Sequence, residues 1–137
     1  MKLSEIVKEN NDAPRQFSDK TFEQYLNTIL WSEHDNSDES GGEPLDSNYS
    51  IDDFSEEALR QAREDLNAFF NAVRGFKKLN VHDPQIAHDF WLTRNHHGAG
   101  FWDGDYGDKL GKQLTHLAQS FREQHAYVGD DGKIYLE

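Results

Sequence analysis

His88-Asp89-Phe90-Trp91-Leu92-Thr93-Arg94-Asn95-His96-His97-Gly98-Ala99-Gly100-Phe101-Trp102-Asp103-Gly104-Asp105 is the stretch whose reading decides the fold. It holds two of the three tryptophans, three of the seven histidines, three of the ten glycines and Arg94, so both packing and chemistry concentrate here. Upstream, Asp83-Pro84 is a helix start: Asp83 caps and Pro84 takes the first helical position. Ile86, Ala87, Phe90 and Trp91 then predict a short helix to about Arg94. Gly98 and Gly100 stop it, Phe101 and Trp102 suit a strand, and Asp103-Gly104-Asp105 turns the chain.

A strand at 99–102 needs partners, and the C-terminal end supplies them. Ala126-Tyr127-Val128, Gly129-Asp130-Asp131-Gly132 and Lys133-Ile134-Tyr135-Leu136 read as a hairpin, since Asp-Gly between β-formers is a strong turn signal. A lone hairpin is marginal, so the 99–102 segment is expected to pair with it as a third strand. Between them a helix is predicted over about Tyr106 to Gln124, with Leu110, Leu114, Leu117, Ala118 and Phe121 as its stripe. Gly107 and Gly111 thin its first turns and allow backbone to pack closely.

The N-terminal half reads as helices. Leu3, Ile6 and Val7 share a face of a short helix ended by Asn10, Asn11, Asp12 and Pro14. Ser18 looks like an N-cap, and Phe22, Tyr25, Leu26, Ile29 and Leu30 form one buried stripe to about Ser32, with Trp31 just off it. A further helix runs from about Ser55 to Arg74, with Leu59, Ala62, Leu66, Phe69, Phe70 and Val73 as its apolar face and Gly75 at C′. The expected fold class is α+β: four or so helices packed on a small, about three-stranded antiparallel sheet, in a single domain spanning 1–137. The apolar fraction of 35% is low, but nine Phe, five Tyr and three Trp offset it with ring area.

Charge is distributed unevenly. Residues 1–66 carry 17 acids and 6 bases, whereas residues 67–137 carry 9 and 8, so nearly all of the net −12 lies in the first half. Between Glu33 and Glu57 there are ten acids and no Lys or Arg. Such a chain repels nucleic acid and anionic membrane and favours a basic partner. Residues 34–53 read as an acidic loop that is either functional or mobile, because twenty unstructured residues are long for a compact domain. The absence of cysteine rules out disulfides, thiol nucleophiles and thiolate metal sites, and fits a reducing compartment. Met1-Lys2-Leu3-Ser4-Glu5-Ile6 lacks a signal-peptide apolar region, and no run reaches the ~18 apolar residues of a membrane span. The expectation is a soluble cytoplasmic protein.

Four chemistries can be weighed. A metal site is one, because His88, Asp89, His96, His97, Asp103 and Asp105 supply nitrogen and oxygen ligands. Adjacent helical residues point about 100° apart, however, so His88 and Asp89 do not share a metal without distortion. A small metal-dependent hydrolase using His88, Asp89, His96 and Asp103 is the rival reading, though no nucleophile elbow or Walker-type loop accompanies them. Calcium is a third: Asp46, Asn48, Ser50, Asp52 and Glu57 match EF-hand spacing, but Ile51 stands where the loop wants glycine and Asp53 where it wants an apolar residue. The fourth is a structural knot in which Arg94 pairs with Asp103 or Asp105. The bland readings prevail, and no metal or cofactor is assigned.

The run from His88 to Asp103, Gly107-Asp108-Lys109-Leu110, Tyr127-Val128-Gly129-Asp130-Asp131-Gly132-Lys133-Ile134-Tyr135 and the upstream Leu45 to Phe54 segment resemble a family of small bacteriophage and prophage proteins. The resemblance covers about residues 20–136. That family carries no established activity, so the resemblance implies a setting and no catalytic residues. It implies an accessory protein that binds and inhibits a host nucleic-acid-processing or defence protein, in the manner of anti-CRISPR, anti-restriction or DNA-mimic factors. A virion structural or assembly role is a third reading. The residues expected to meet the partner are Glu33, Asp35, Asp38, Glu39, Glu43, Asp46, Asp52, Asp53, Glu56, Glu57, Arg94 and Trp102.

Overall fold

The computed structural model describes residues 17–35, 42–73, 84–97, 100–101 and 106–137. The helix expected within 1–16 lies outside them, as do Asp38, Glu39, Trp102, Asp103 and Asp105. Among the described residues, four α-helices and a two-stranded antiparallel sheet make an α+β architecture: α1 (Asp19–Ser32), α2 (Glu56–Ala72), α3 (Pro84–Arg94), α4 (Asp108–Gln119), β1 (Ala126–Val128) and β2 (Ile134–Leu136).

Local chemistry sets the helix ends. Ser18 caps α1 by accepting from Thr21 N at 3.2 Å, and Ser55 caps α2 by accepting from Ala58 N at 3.0 Å. α3 closes without glycine: His96 N–H donates to Thr93 O and His97 N–H to Leu92 O, the Schellman pattern. His96 therefore takes the left-handed backbone, with φ of 57°. Helix α4 stops at Gln119, five residues before the expected end at Gln124. The chain leaves it because Arg122 O and Gln124 N are bonded elsewhere, to the Arg94 guanidinium and to Asn95 Oδ1.

Among the described residues the sheet has two strands, in register Ala126 with Leu136, Tyr127 with Tyr135 and Val128 with Ile134. Gly100 and Phe101, the described part of the expected third strand, form a bend and a turn. The segment that meets the hairpin's other edge is Phe54-Ser55: Phe54 bridges Ile134, and Ser55 N–H donates to Ile134 O at 2.9 Å. Phe101 is drawn into the core, where Thr93 Oγ1 accepts from its N–H at 3.1 Å.

One core joins all these elements. At its centre four rings stack in a column drawn from four segments. Tyr25 lies on Phe90 at 5.7 Å, Phe90 on Phe69 at 4.2 Å, and Phe69 on Phe101 at 5.6 Å. Phe121 meets Phe90 edge-on and Tyr106 meets Phe101 likewise. Trp91 stands edge-on to Tyr25 and its indole N–H donates to Ser32 Oγ at 2.9 Å. This polar tether lets a large ring be wholly buried without an unpaired donor.

Two glycines permit close approaches around Phe101. A Cβ on Gly111 would stand 2.8 Å from Phe101 O, so α4 can lie against the Phe101 backbone only because that position is bare. Gly100 has φ of +144°, and its Cβ would fall 2.2 Å from Thr93 Oγ1. We expect Gly100→Ala to cost about 2–4 kcal/mol, from backbone strain plus displacement of Thr93. Urea denaturation checks it: the midpoint should fall with the slope unchanged.

Candidate functional site

Three groups of polar residues emerge. The first is the acidic segment after α1. It is not an unstructured loop over its described length: Leu45–Ser47 and Ile51–Asp53 form 3₁₀ turns. Leu45 is a wholly buried plug, and Asp35 N–H to Glu43 O (2.8 Å) and Leu45 N–H to Glu33 O (2.9 Å) tie the segment back to the end of α1. Asp53 accepts from Ser50 N at 2.8 Å in a capping box, which makes it a turn-former. Glu43, Asp46, Asp52, Glu56 and Glu57 are exposed. The last two lie in the first turn of α2, where the helix dipole favours them.

Glu33 departs from its expected place on that surface. Its side chain is only 10% exposed and accepts from Ala126 N at 2.9 Å, with His125 Nδ1 at 3.3 Å. It clamps the hairpin to the end of α1. The calcium spacing does not gather its carboxylates either, for among the described residues no three His, Asp or Glu converge as metal ligands.

The second group centres on Arg94, which was expected to meet a partner and instead lies inside, 3% exposed. Its Nε and Nη2 both donate to Arg122 O, at 3.0 and 2.7 Å, while Nη1 donates to Tyr25 Oη at 3.1 Å and Asp65 Oδ2 at 2.9 Å. The rings of Phe90, Trp91 and Phe121 lie within 6.0 Å of the guanidinium carbon. Asp65 is its counter-ion among the described residues; Asp103 and Asp105, the expected partners, lie outside them. Burial opposes the charge, but Tyr25 and Asp65 outweigh it and hold the Arg94 pKa above its ordinary value.

Burial pushes the Tyr25 hydroxyl up to about 12, although Arg94 pulls the other way. The folded pKa is raised, so the stabilisation is complete below the unfolded value of about 10 and is lost as pH rises towards 12. Unfolding free energy should fall by roughly 2–3 kcal/mol across that window from this group. Phenolate absorbance titration checks it: one of the five tyrosines should ionise only near the top of the range or with unfolding.

The third group lies on the outer side of α3. The buried Asp89 carboxylate accepts from Gln85 Nε2 (3.0 Å) and His88 Nδ1 (3.0 Å) at Oδ1, and from Tyr106 Oη (2.8 Å) at Oδ2. The two neighbours do leave the helix in different directions, yet an imidazole is long enough to reach back. They form a hydrogen-bonded pair and not a shared metal site. The His88 side chain is 22% exposed, and its ring lies 5.7 Å from that of Trp31, itself 44% exposed. His96 stands apart, with Gln119 at 3.2 Å and Glu123 at 3.6 Å. The histidines His88 and His96, joined in the hydrolase reading, thus have separate partners.

Sequence reasoning missed Asp65, Tyr106 and Trp31 as members of these groups. Only the off-stripe position of Trp31 offered a signal. Comparisons with family models, with curated proteins and with solved structures find no match for this chain. Among the described residues no helix is long and apolar enough to cross a membrane.

Proposed function

We propose that this protein is a small acidic binding factor of bacteriophage type that docks on the basic surface of a nucleic-acid-processing or defence protein and inhibits it. The observation that carries the reading is the pinned acidic segment. Exposed Glu43, Asp46, Asp52, Glu56 and Glu57 sit on a backbone fixed by the Leu45 plug, two 3₁₀ turns and the Phe54 bridge to β2. No Lys or Arg interrupts the sequence from Glu33 to Glu57. A preformed array loses little conformational freedom on docking, and like-signed carboxylates steer a basic cleft into encounter. Arg94 takes no part in the contact on this reading; it holds the scaffold.

The test is capture of proteins from a bacterial lysate at low salt, by the wild-type chain and by a variant carrying Glu43→Gln, Asp46→Asn, Asp52→Asn and Glu57→Gln. These carboxylates are exposed, so the variant should fold. The wild type should retain a basic nucleic-acid-binding protein that the variant loses. Equal retention by both would contradict the reading.

A further inference from the structure

The geometry of the His88 group points to a second activity, independent of the acidic segment: we propose that His88 is a nucleophile that accepts acyl groups from aryl esters. Asp89 is the positioning residue and Trp31 the platform for the aryl ring. The Asp89 carboxylate is 2% exposed and is held by Gln85, His88 and Tyr106, so it is fixed in place. With Asp89 Oδ1 as the acceptor in the 3.0 Å contact, His88 Nδ1 is the donor and the Nε2 lone pair is left available. Among the described residues nothing hydrogen-bonds Nε2. The imidazole is thus held by Asp89 Oδ1, with Gln85 Nε2 also 3.4 Å from Nδ1; its side chain is 22% exposed and lies beside an exposed indole tilted 30° to its ring. Nucleophilic catalysis needs this combination: an attacking atom, a group that holds it, and a surface that holds the substrate.

The substrate class follows from the surroundings. Trp31 offers a π-face for an aromatic leaving group. The net charge of −12 disfavours anionic acyl donors and admits neutral or cationic ones. In the first step Nε2 attacks the ester carbonyl carbon, and the bond from that carbon to the aryl oxygen breaks. The aryloxide leaves with the electron pair. The acyl-imidazolium keeps its Nδ1 proton, and its positive charge faces Asp89. Water then attacks the acyl carbon, the Nε2–carbon bond breaks, and neutral His88 is regenerated. The water supplies hydroxide to the acid product and a proton to the aryloxide, so ester and water give acid and phenol.

The experiment follows p-nitrophenolate release from p-nitrophenyl acetate by the purified full chain. The wild type should exceed free imidazole at equal concentration, and His88→Gln should lower kcat/KM by about 100-fold, the scale of one positioned proton-transfer or nucleophilic group. His116→Gln, on the exposed part of α4, should leave the rate unchanged. Trp31→Ala should raise KM with kcat retained. Asp89→Asn should lower kcat with KM retained, and the ¹⁵N signature of His88 should shift from the Nδ1–H tautomer. If Asp89→Asn fails to fold, Tyr106→Phe, which removes the bond to Oδ2, takes its place. A wild-type rate no faster than free imidazole, or an undiminished rate in His88→Gln, would overturn the proposal. So would an Asp89 or Tyr106 variant that alters stability alone.

Discussion

Replacing Arg94 by Ala should lower the unfolding free energy by about 3–5 kcal/mol, the scale expected when one member of a buried ion pair is removed. The loss has several parts. Asp65 would keep a carboxylate whose side chain is only 18% exposed, with Gln61 Nε2 as its remaining donor among the described residues. Arg122 O would lose two donors at once, and Tyr25 Oη its charged neighbour. Three aromatic rings would face a cavity in place of a guanidinium. Since a domain is stable by only about 5–15 kcal/mol, this change alone can leave the chain partly unfolded. Arg94→Lys should recover little, because one ammonium cannot fork to Arg122 O while also reaching Asp65 and Tyr25. Guanidinium chloride denaturation checks both variants. Adding Asp65→Leu to Arg94→Met should restore part of the loss, because it removes the stranded charge.

Phe69→Ala should cost a similar amount, about 3–5 kcal/mol. Phe69 is wholly buried and stands third in the column, against Phe90 on one side and Phe101 on the other. Phe70 and Phe121 meet it edge-on. Truncation removes a ring that joins α2 to α3, to the Gly100-Phe101 turn and to the residues after α4, so the void cannot be closed by moving one neighbour. Calorimetry should show a lower Tm. Peripheral Phe17→Ala, with ring contacts to Phe22 and Phe70, should cost less.

The helices were legible because their signals are local. Ser18 and Ser55 cap where a hydroxyl precedes an apolar stripe, and the Asp-Gly turn placed the hairpin. What could not be read is what depends on long-range pairing. Arg94 reaches Asp65 from 29 residues away, and nothing in the spacing favoured that carboxylate over Asp103 or Asp105. Glu33 looked like one acid among ten but meets Ala126 N across 93 residues. Phe101 suits a strand by composition, yet Thr93 and the bare Gly111 draw it into the aromatic column. The ordered 3₁₀ turns were hidden because acidic, glycine-rich composition argues for solvation, while the buried Leu45 that pins them is one residue.

The proposed binding depends on carboxylates presented by the pinned segment after α1. Its most direct test is the salt dependence of the affinity for the protein captured from lysate. Measured between about 0.1 M and about 1 M salt, where the screening length drops from roughly 10 Å to 3 Å, Kd should rise steeply for the wild type. It should depend little on salt for the variant lacking the carboxylates at 43, 46, 52 and 57. A wild-type affinity that stays flat across that range would contradict the account.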